Sequence, residues 1–326
     1  MPGTDPLQAC RVVFDALPDL PHLPELPGRG PGADMIGRTA ALLVDMPVQA
    51  TAGGWKLADR PGRDMGRAAS FLSEDLDVLE QVAESYEGPI KIQVCGPWTL
   101  AAALELSRSV NPALADPGAV ADLTASLAEG LANHAADVRK RIPGGTLIVQ
   151  LDEPSLPAAL LGRVPTASGL NVVAMVDSAV ASQRLETVLS APSASTVVHC
   201  CGGPAPFPEI WAAGASAVSF DVSLLRTKDI DLLAELADGG MALFAGALPV
   251  TSAQRLVSGP PVPPRHTAGQ VVTFWQRTGL APGQLAEQVV MTPDCGLAGV
   301  SPAAARAALE HCREAARIAP ELIDPS

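Results

Sequence analysis

Short β-branched runs alternate with longer stretches of helical periodicity along most of the chain, and no other feature restricts the fold as much. The runs lie at Ile90–Val94, Leu147–Leu151, Thr196–Val198, Ala217–Phe220, Ala242–Phe244 and Val289–Met291. Each reads as apolar on both faces, as strands buried in a parallel sheet are. Amphipathic helical patterns cover Arg67–Tyr86, Val120–Ile142, Val172–Leu189, Ile230–Leu236 and Pro302–Ile318, and another covers Leu7–Leu17. Ala213–Gly214 and Gly239–Gly240 stand where helices must stop ahead of strands. Repeated β-then-α units predict a parallel α/β fold with right-handed crossovers. A length of 326 residues suits one (β/α)8 barrel of the TIM type, a single domain over 1–326.

Two segments break the rhythm. Leu17–Gly32 carries five prolines and three glycines and is expected to cross the surface around a short strand near His22–Leu26. Ser258–Arg265 holds four prolines and reads as a stiff loop. With His22–Leu26 the strand count is seven, whereas a closed barrel takes eight. A strand ahead of Met1 would complete it, so the first strand is expected to be missing from the chain start.

Composition narrows the function classes. The 22 Lys and Arg against 35 Asp and Glu give a net charge of −13, which argues against a nucleic-acid partner. No uninterrupted apolar run exceeds five residues, whereas a spanning helix needs about 20, so no membrane partner is expected. The start lacks the basic residues and apolar stretch of a secretory signal. Six cysteines, two of them adjacent, do not make a secreted disulfide framework; reduced cytoplasmic thiols or a metal site fit better.

Three strand ends carry metal-type ligands. ThrValValHisCysCys brings His199 and Cys201, AlaValSerPheAsp brings Asp221, and ValMetThrProAspCys brings Cys295. In a parallel barrel all strand C-termini meet on one face, so these residues are expected to converge despite their separation. Zinc accepts this mixture of imidazole, thiolate and carboxylate. Taken singly each has a blander reading. Cys10, Cys95 and Cys312 read as buried small hydrophobes, and Asp221 or Asp294 can cap a turn. LeuAspGluPro adds Asp152 and Glu153 at another strand end. A carboxylate there suits orientation of a cationic group or acid–base work, although Glu153 reads better as a helix cap. In CysGlyProTrpThrLeu, Gly96 permits close backbone approach, and Trp98 either roofs the pocket or packs.

At these residues the chain resembles the C-terminal catalytic barrel of cobalamin-independent methionine synthases. The pieces are AspMet at 34–35, GlyProTrpThrLeu at 96–100, GlnLeuAspGluPro at 150–154, His-x-Cys at 199–201 and ProAspCysGlyLeu at 293–297, in the family's order. The resemblance implies a (β/α)8 barrel with a catalytic Zn2+ that activates a thiol. It implies His199, Cys201 and Cys295 as zinc ligands, with Asp221 where the family has a glutamate. It further implies that Asp152, and less directly Glu25, hold the substrate's amino group.

The departures matter as much. The family's folate-stacking tryptophan is matched by small side chains around Ala103, and the histidine that protonates the leaving folate falls in GlyAlaLeuProVal at 246–250, where there is none. The resulting expectation is a zinc-dependent methyltransferase acting on homocysteine or a similar amino thiol. Its donor, a small molecule or a methyl-carrying protein, is expected to be something other than methyltetrahydrofolate. An epoxide-opening thiol alkyltransferase and a non-catalytic zinc- and thiol-binding barrel stand as alternatives. Uroporphyrinogen decarboxylases share a related barrel but have no use for a His-Cys-Cys set.

Overall fold

All six apolar runs become strands of one parallel sheet in the computed structural model, which describes residues 1–260 and 262–324. In chain order the strands are β1 Val48–Thr51, β2 Gly54–Leu57, β3 Pro89–Cys95, β4 Leu104–Glu105, β5 Thr146–Asp152, β6 Ser195–Cys200, β7 Ala217–Asp221, β8 Ala242–Leu248 and β9 Val289–Pro293. The main sheet has the order β3-β5-β6-β7-β8-β9, every pair parallel. It is curled, because Gln93, Asp152, His199, Ser219, Phe244 and Thr292, one from each strand, line a single cavity. The short strands β1, β2 and β4 form a separate sheet that the periodicity does not announce.

Among the described residues the main sheet has six strands, and the expected eight-stranded closure is not seen. The strand expected at His22–Leu26 is reduced to one parallel bridge, His22 to Lys91. Leu23 N–H donates to Lys91 O, and Lys91 N–H donates to Pro21 O. Pro21 has no N–H to extend that ladder one way, and Leu23 O, the acceptor for the next rung the other way, takes the Gln93 side-chain N–H instead. Nor does this segment run over the surface: Leu23 and Leu26 are fully buried along the sheet's edge.

Helices pack outside the sheet and stop where local chemistry directs. The helix Pro117–Arg141 starts with Asp116 accepting from Gly118 and Ala119 N–H and Pro117 in its first turn; it ends on Arg139, Lys140 and Arg141. Those charges match the helix dipole at both ends. Asp5, Asp177 and Ser301 cap Pro6–Ala16, Ser178–Leu189 and Pro302–Ile323 in the same way. Gly214 and Gly240, both at positive φ, follow the expected stops. The stretch 172–177 stays irregular ahead of its helix, and the Pro-rich stretch at 258–265, expected to be a loop, leads into a further helix, Pro264–Thr278. Pro261 lies outside the described residues.

Register brings the strand ends level. Cys95 is opposite Asp152, Asp152 opposite His199, and His199 opposite Ser219. Asp221 is opposite Gly246, where a Cβ would stand 2.8 Å from both Phe220 O and the Asp294 Cα; only glycine lets β7, β8 and the chain after β9 close up at the mouth.

Candidate metal and thiol site

A cavity of about 450 Å³ opens at this level. His199, Cys201 and Cys295 meet at its rim, their ligand atoms all within 4.8 Å of one another. His199 is held by β6, and its Nδ1 lies 2.8 Å from Ser219 Oγ on β7, which leaves Nε2 for the sulfurs. Successive residues at a strand end face opposite sides. Cys200 is therefore buried, its thiol directed at Gly202 O, while the chain delivers Cys201 to the rim. Cys295 arrives two residues past the end of β9, exposed, with its sulfur 3.8 Å from that of Cys201.

The two sulfurs do not ionise alike. Hydrogen bonds from Cys201 and His199, with help from the Gly296 N–H, bring the Cys295 thiol down to about 4. The Cys201 thiol moves the other way, because it shares its proton with that neighbouring thiolate and is partly desolvated. A half-open set of one imidazole and two sulfurs, one already inclined to thiolate, matches three protein ligands of a catalytic zinc, with the fourth position left open.

Asp221 does not join them. Its carboxylate accepts from Ser223 N–H at 2.7 Å and starts a turn on the outer side, away from the cavity. Asp294 likewise caps, accepting from Val250 N–H at 2.8 Å across the β8–β9 gap.

Asp152 does line the cavity, one strand from His199. Gln150 Nε2 donates to its Oδ1 at 2.7 Å. Burial raises its pKa, against the opposing pull of His199 and Lys91. Glu25 lines the same cavity. Burial raises its pKa too; the Arg38 guanidinium, 3.9 Å away, opposes that shift, and its Oε1 has no hydrogen-bond partner among the described residues. Arg38 itself is anchored on buried Asp75, which also holds Arg29.

Glu153 is a cap, but for a different helix from the one that follows it. Its carboxylate accepts from Trp98 N–H at 2.9 Å, Thr99 N–H at 2.8 Å and Thr99 Oγ at 2.7 Å, at the start of Pro97–Ala103. A Cβ on Gly96 would sit 2.3 Å from Glu153 Oε1, so the close approach read from the sequence is real. Desolvation brings the Glu153 carboxyl up to about 7 despite these donors. Trp98 packs, with its indole N–H on Ala181 O, and does not reach the cavity. Cys10, Cys95 and Cys312 are buried, as expected.

Lys91, Gln93 and His22, which are not among the expected site residues, also line the cavity. The signal was available: Lys91 and Gln93 are two apart in an otherwise apolar strand, hence on one face, so β3 is not apolar on both sides. Burial, with Lys91 close by, drives the His22 pKa down and keeps the ring neutral.

Residues 96–318 match the family described as cobalamin-independent synthase, catalytic domain. The chain belongs to this family. The match supports a methyltransferase, in a family that is zinc-dependent in general. Among solved structures, a B12-independent methionine synthase from a Shewanella species, in complex with selenomethionine, superposes with a TM-score of 0.64 at 15% identity. The match covers 98% of this chain and 88% of that one, and at this identity it speaks for the fold of the synthase family. A search of curated proteins finds no match. No helix among the described residues is long and apolar enough to cross a membrane.

Proposed function

We propose that the chain is a zinc-dependent thiol methyltransferase that takes homocysteine or a similar amino thiol as acceptor. The observation that carries this reading is the convergence of His199, Cys201 and Cys295 at the rim of a cavity that Asp152 also lines. Zinc held there would supply a deprotonated, nucleophilic sulfur at neutral pH from an incoming thiol whose own pKa is near ~8.5. The protein's part is positioning. Ser219 fixes the His199 ring, Asp152 and Glu25 receive the substrate ammonium, and the walls of the cavity align the sulfur for in-line attack. Asp221 is kept as a candidate fourth ligand only if its side chain leaves Ser223. We further infer a single catalytic domain over 1–326, working in the cytoplasm on small molecules or with a methyl-carrying donor protein.

The donor is inferred to be already activated, such as a methylated corrinoid or a sulfonium. Transfer from methyltetrahydrofolate needs an acid for the leaving amine and a surface for the pterin. Where the acid should project, Leu248 is buried against the terminal helix. Where the stacking ring should be, Ala101 is buried and the neighbouring Trp98 faces Ala181. His22 lies in the cavity, at the level of Lys91 and below the strand ends, so among the described residues His199 is the one histidine at the rim. The test is product formation from homocysteine by zinc-loaded protein with each donor at equal concentration. Methionine from an activated donor, lost on chelation, supports the reading. Zinc-dependent turnover with methyltetrahydrofolate alone overturns the donor inference. Turnover with an epoxide in place of any methyl donor moves the assignment to a thiol alkyltransferase, and binding without turnover to a non-catalytic barrel.

A further inference from the structure

We propose that Lys91 binds the carboxylate of the thiol substrate, so that the acceptor is selected as a zwitterionic amino acid and not merely as an amine-bearing thiol. The inference rests on the thiol-transferase reading above and adds a group to it. Lys91 enters on β3, four residues below Cys95 and the strand-end layer, or about 13 Å at ~3.3 Å per residue. From there its side chain rises toward the mouth, and Nζ reaches within 3.3 Å of Gln93 Oε1. The ammonium therefore stands about one layer beneath Asp152, since Gln93 is opposite Gln150 and Cys95 opposite Asp152.

Its bonding is incomplete. An ammonium has three N–H donors, and Gln93 Oε1 is the one acceptor that Lys91 has among the described residues. No ion pair there includes it; burial lowers its pKa, and Asp152 and Glu25 oppose that shift from a distance. Gln93 is not free to turn away, because its Nε2 is spent on Leu23 O at 2.7 Å. Two donors of a desolvated cation thus face a cavity whose carboxylates lie higher and to the side. An anion is the ligand that completes such a group. An α-amino acid carries its ammonium and carboxylate on one carbon, which fits an acid at one level and a lysine at the next.

The experiment titrates zinc-loaded protein calorimetrically with homocysteine, with aminopropanethiol, which lacks the carboxylate, and with mercaptobutanoate, which lacks the amine. The wild type is expected to bind homocysteine about 10–100-fold more tightly than aminopropanethiol, the effect of one charge-assisted bond. In Lys91→Met that preference should vanish while aminopropanethiol binds within about 2-fold of wild type, and Lys91→Arg should restore part of it. Asp152→Asn should instead erase the preference for homocysteine over mercaptobutanoate. Unchanged zinc content and thermal midpoint establish that the variants are folded, and Lys91→Gln substitutes if Lys91→Met is not. Equal weakening of all three thiols by Lys91→Met, or a wild type that binds aminopropanethiol as well as homocysteine, overturns the Lys91 assignment and leaves the thiol reading standing. Failure of the wild type to bind any of the three overturns both.

Discussion

Two clusters of chemistry-bearing residues sit side by side at the strand ends, and they differ in whether the protein finishes them. Around Glu153 every polar group is used: both carboxylate oxygens accept, the Trp98 and Thr99 N–H groups donate, and Thr99 Oγ also accepts from Ser155 N–H. The cluster is buried. Around Cys295 the groups lean chiefly on one another: a ring nitrogen and two sulfurs face each other at the rim, half-exposed, with outside partners at Ser219 Oγ and the Gly296 N–H. A carboxylate at a barrel mouth is therefore not a site by virtue of its position. The satisfied cluster joins the β3 and β5 units, and the rim cluster keeps three ligand-type atoms close enough together that they could hold a metal ion.

This contrast can be broken from either side. The largest effect is expected at the rim: Cys201→Ser or Cys295→Ser should each lose most of the bound zinc, because a serine hydroxyl does not ionise to replace thiolate. Cys200→Ser, facing away, should keep it. Metal analysis of purified protein decides, and full occupancy in Cys295→Ser would remove the residue from the ligand set. The thermal midpoints of the metal-free forms should hardly move.

Next in size is the converse. Glu153→Ala strands two buried N–H groups and a hydroxyl and should destabilise the fold by about 3–5 kcal/mol in denaturant unfolding, while any folded fraction retains its zinc. A loss under about 1 kcal/mol would mean that the cap is replaceable by solvent.

A smaller, pH-dependent effect follows from the same carboxyl. Its pKa is raised on folding, from an ordinary value near 4.5 to about 7, so the folded state holds the proton more tightly. The stabilisation is complete below about pH 4.5 and is lost as pH rises through about 7, up to about 3 kcal/mol in all. Wild type should lose stability relative to Glu153→Gln across that window, and parallel pH profiles for the two proteins would contradict the shift. The smallest effect is expected from Ser219→Ala, which unties His199 Nδ1 and should weaken zinc binding by about 10–100-fold with little change in stability. Competition against a chelator measures it.

Much of this was legible in the sequence. Six strands, their parallel order and the level of their ends follow from apolar runs spaced by helical patterns. The meeting of His199, Cys201 and Cys295 follows from that geometry. What was not legible is pairing that depends on partners distant in sequence. Nothing near Glu153 announces that its helix lies some fifty residues upstream at Trp98 and Thr99. Asp221 has the right residue type at the right strand end, yet a local turn claims its oxygen, as short carboxylates commonly allow. The strand at His22–Leu26 stops at one bridge because Pro21, just ahead of it, has no N–H and the Gln93 side chain takes Leu23 O. Lys91 was hidden by a strand that reads as apolar on both faces until its alternate positions are compared.

The splitting of Cys200 from Cys201 by the pleat gives the chain a built-in counter. Four of the six thiols are buried, and the two that are not are the rim pair. A mild thiol-reactive dye on native protein therefore has two sulfurs to find when the rim is empty and none that react fast when both are engaged. Fluorescence per chain reports the loaded fraction without chelation or mass analysis. The four silent cysteines become the internal standard once the protein is denatured.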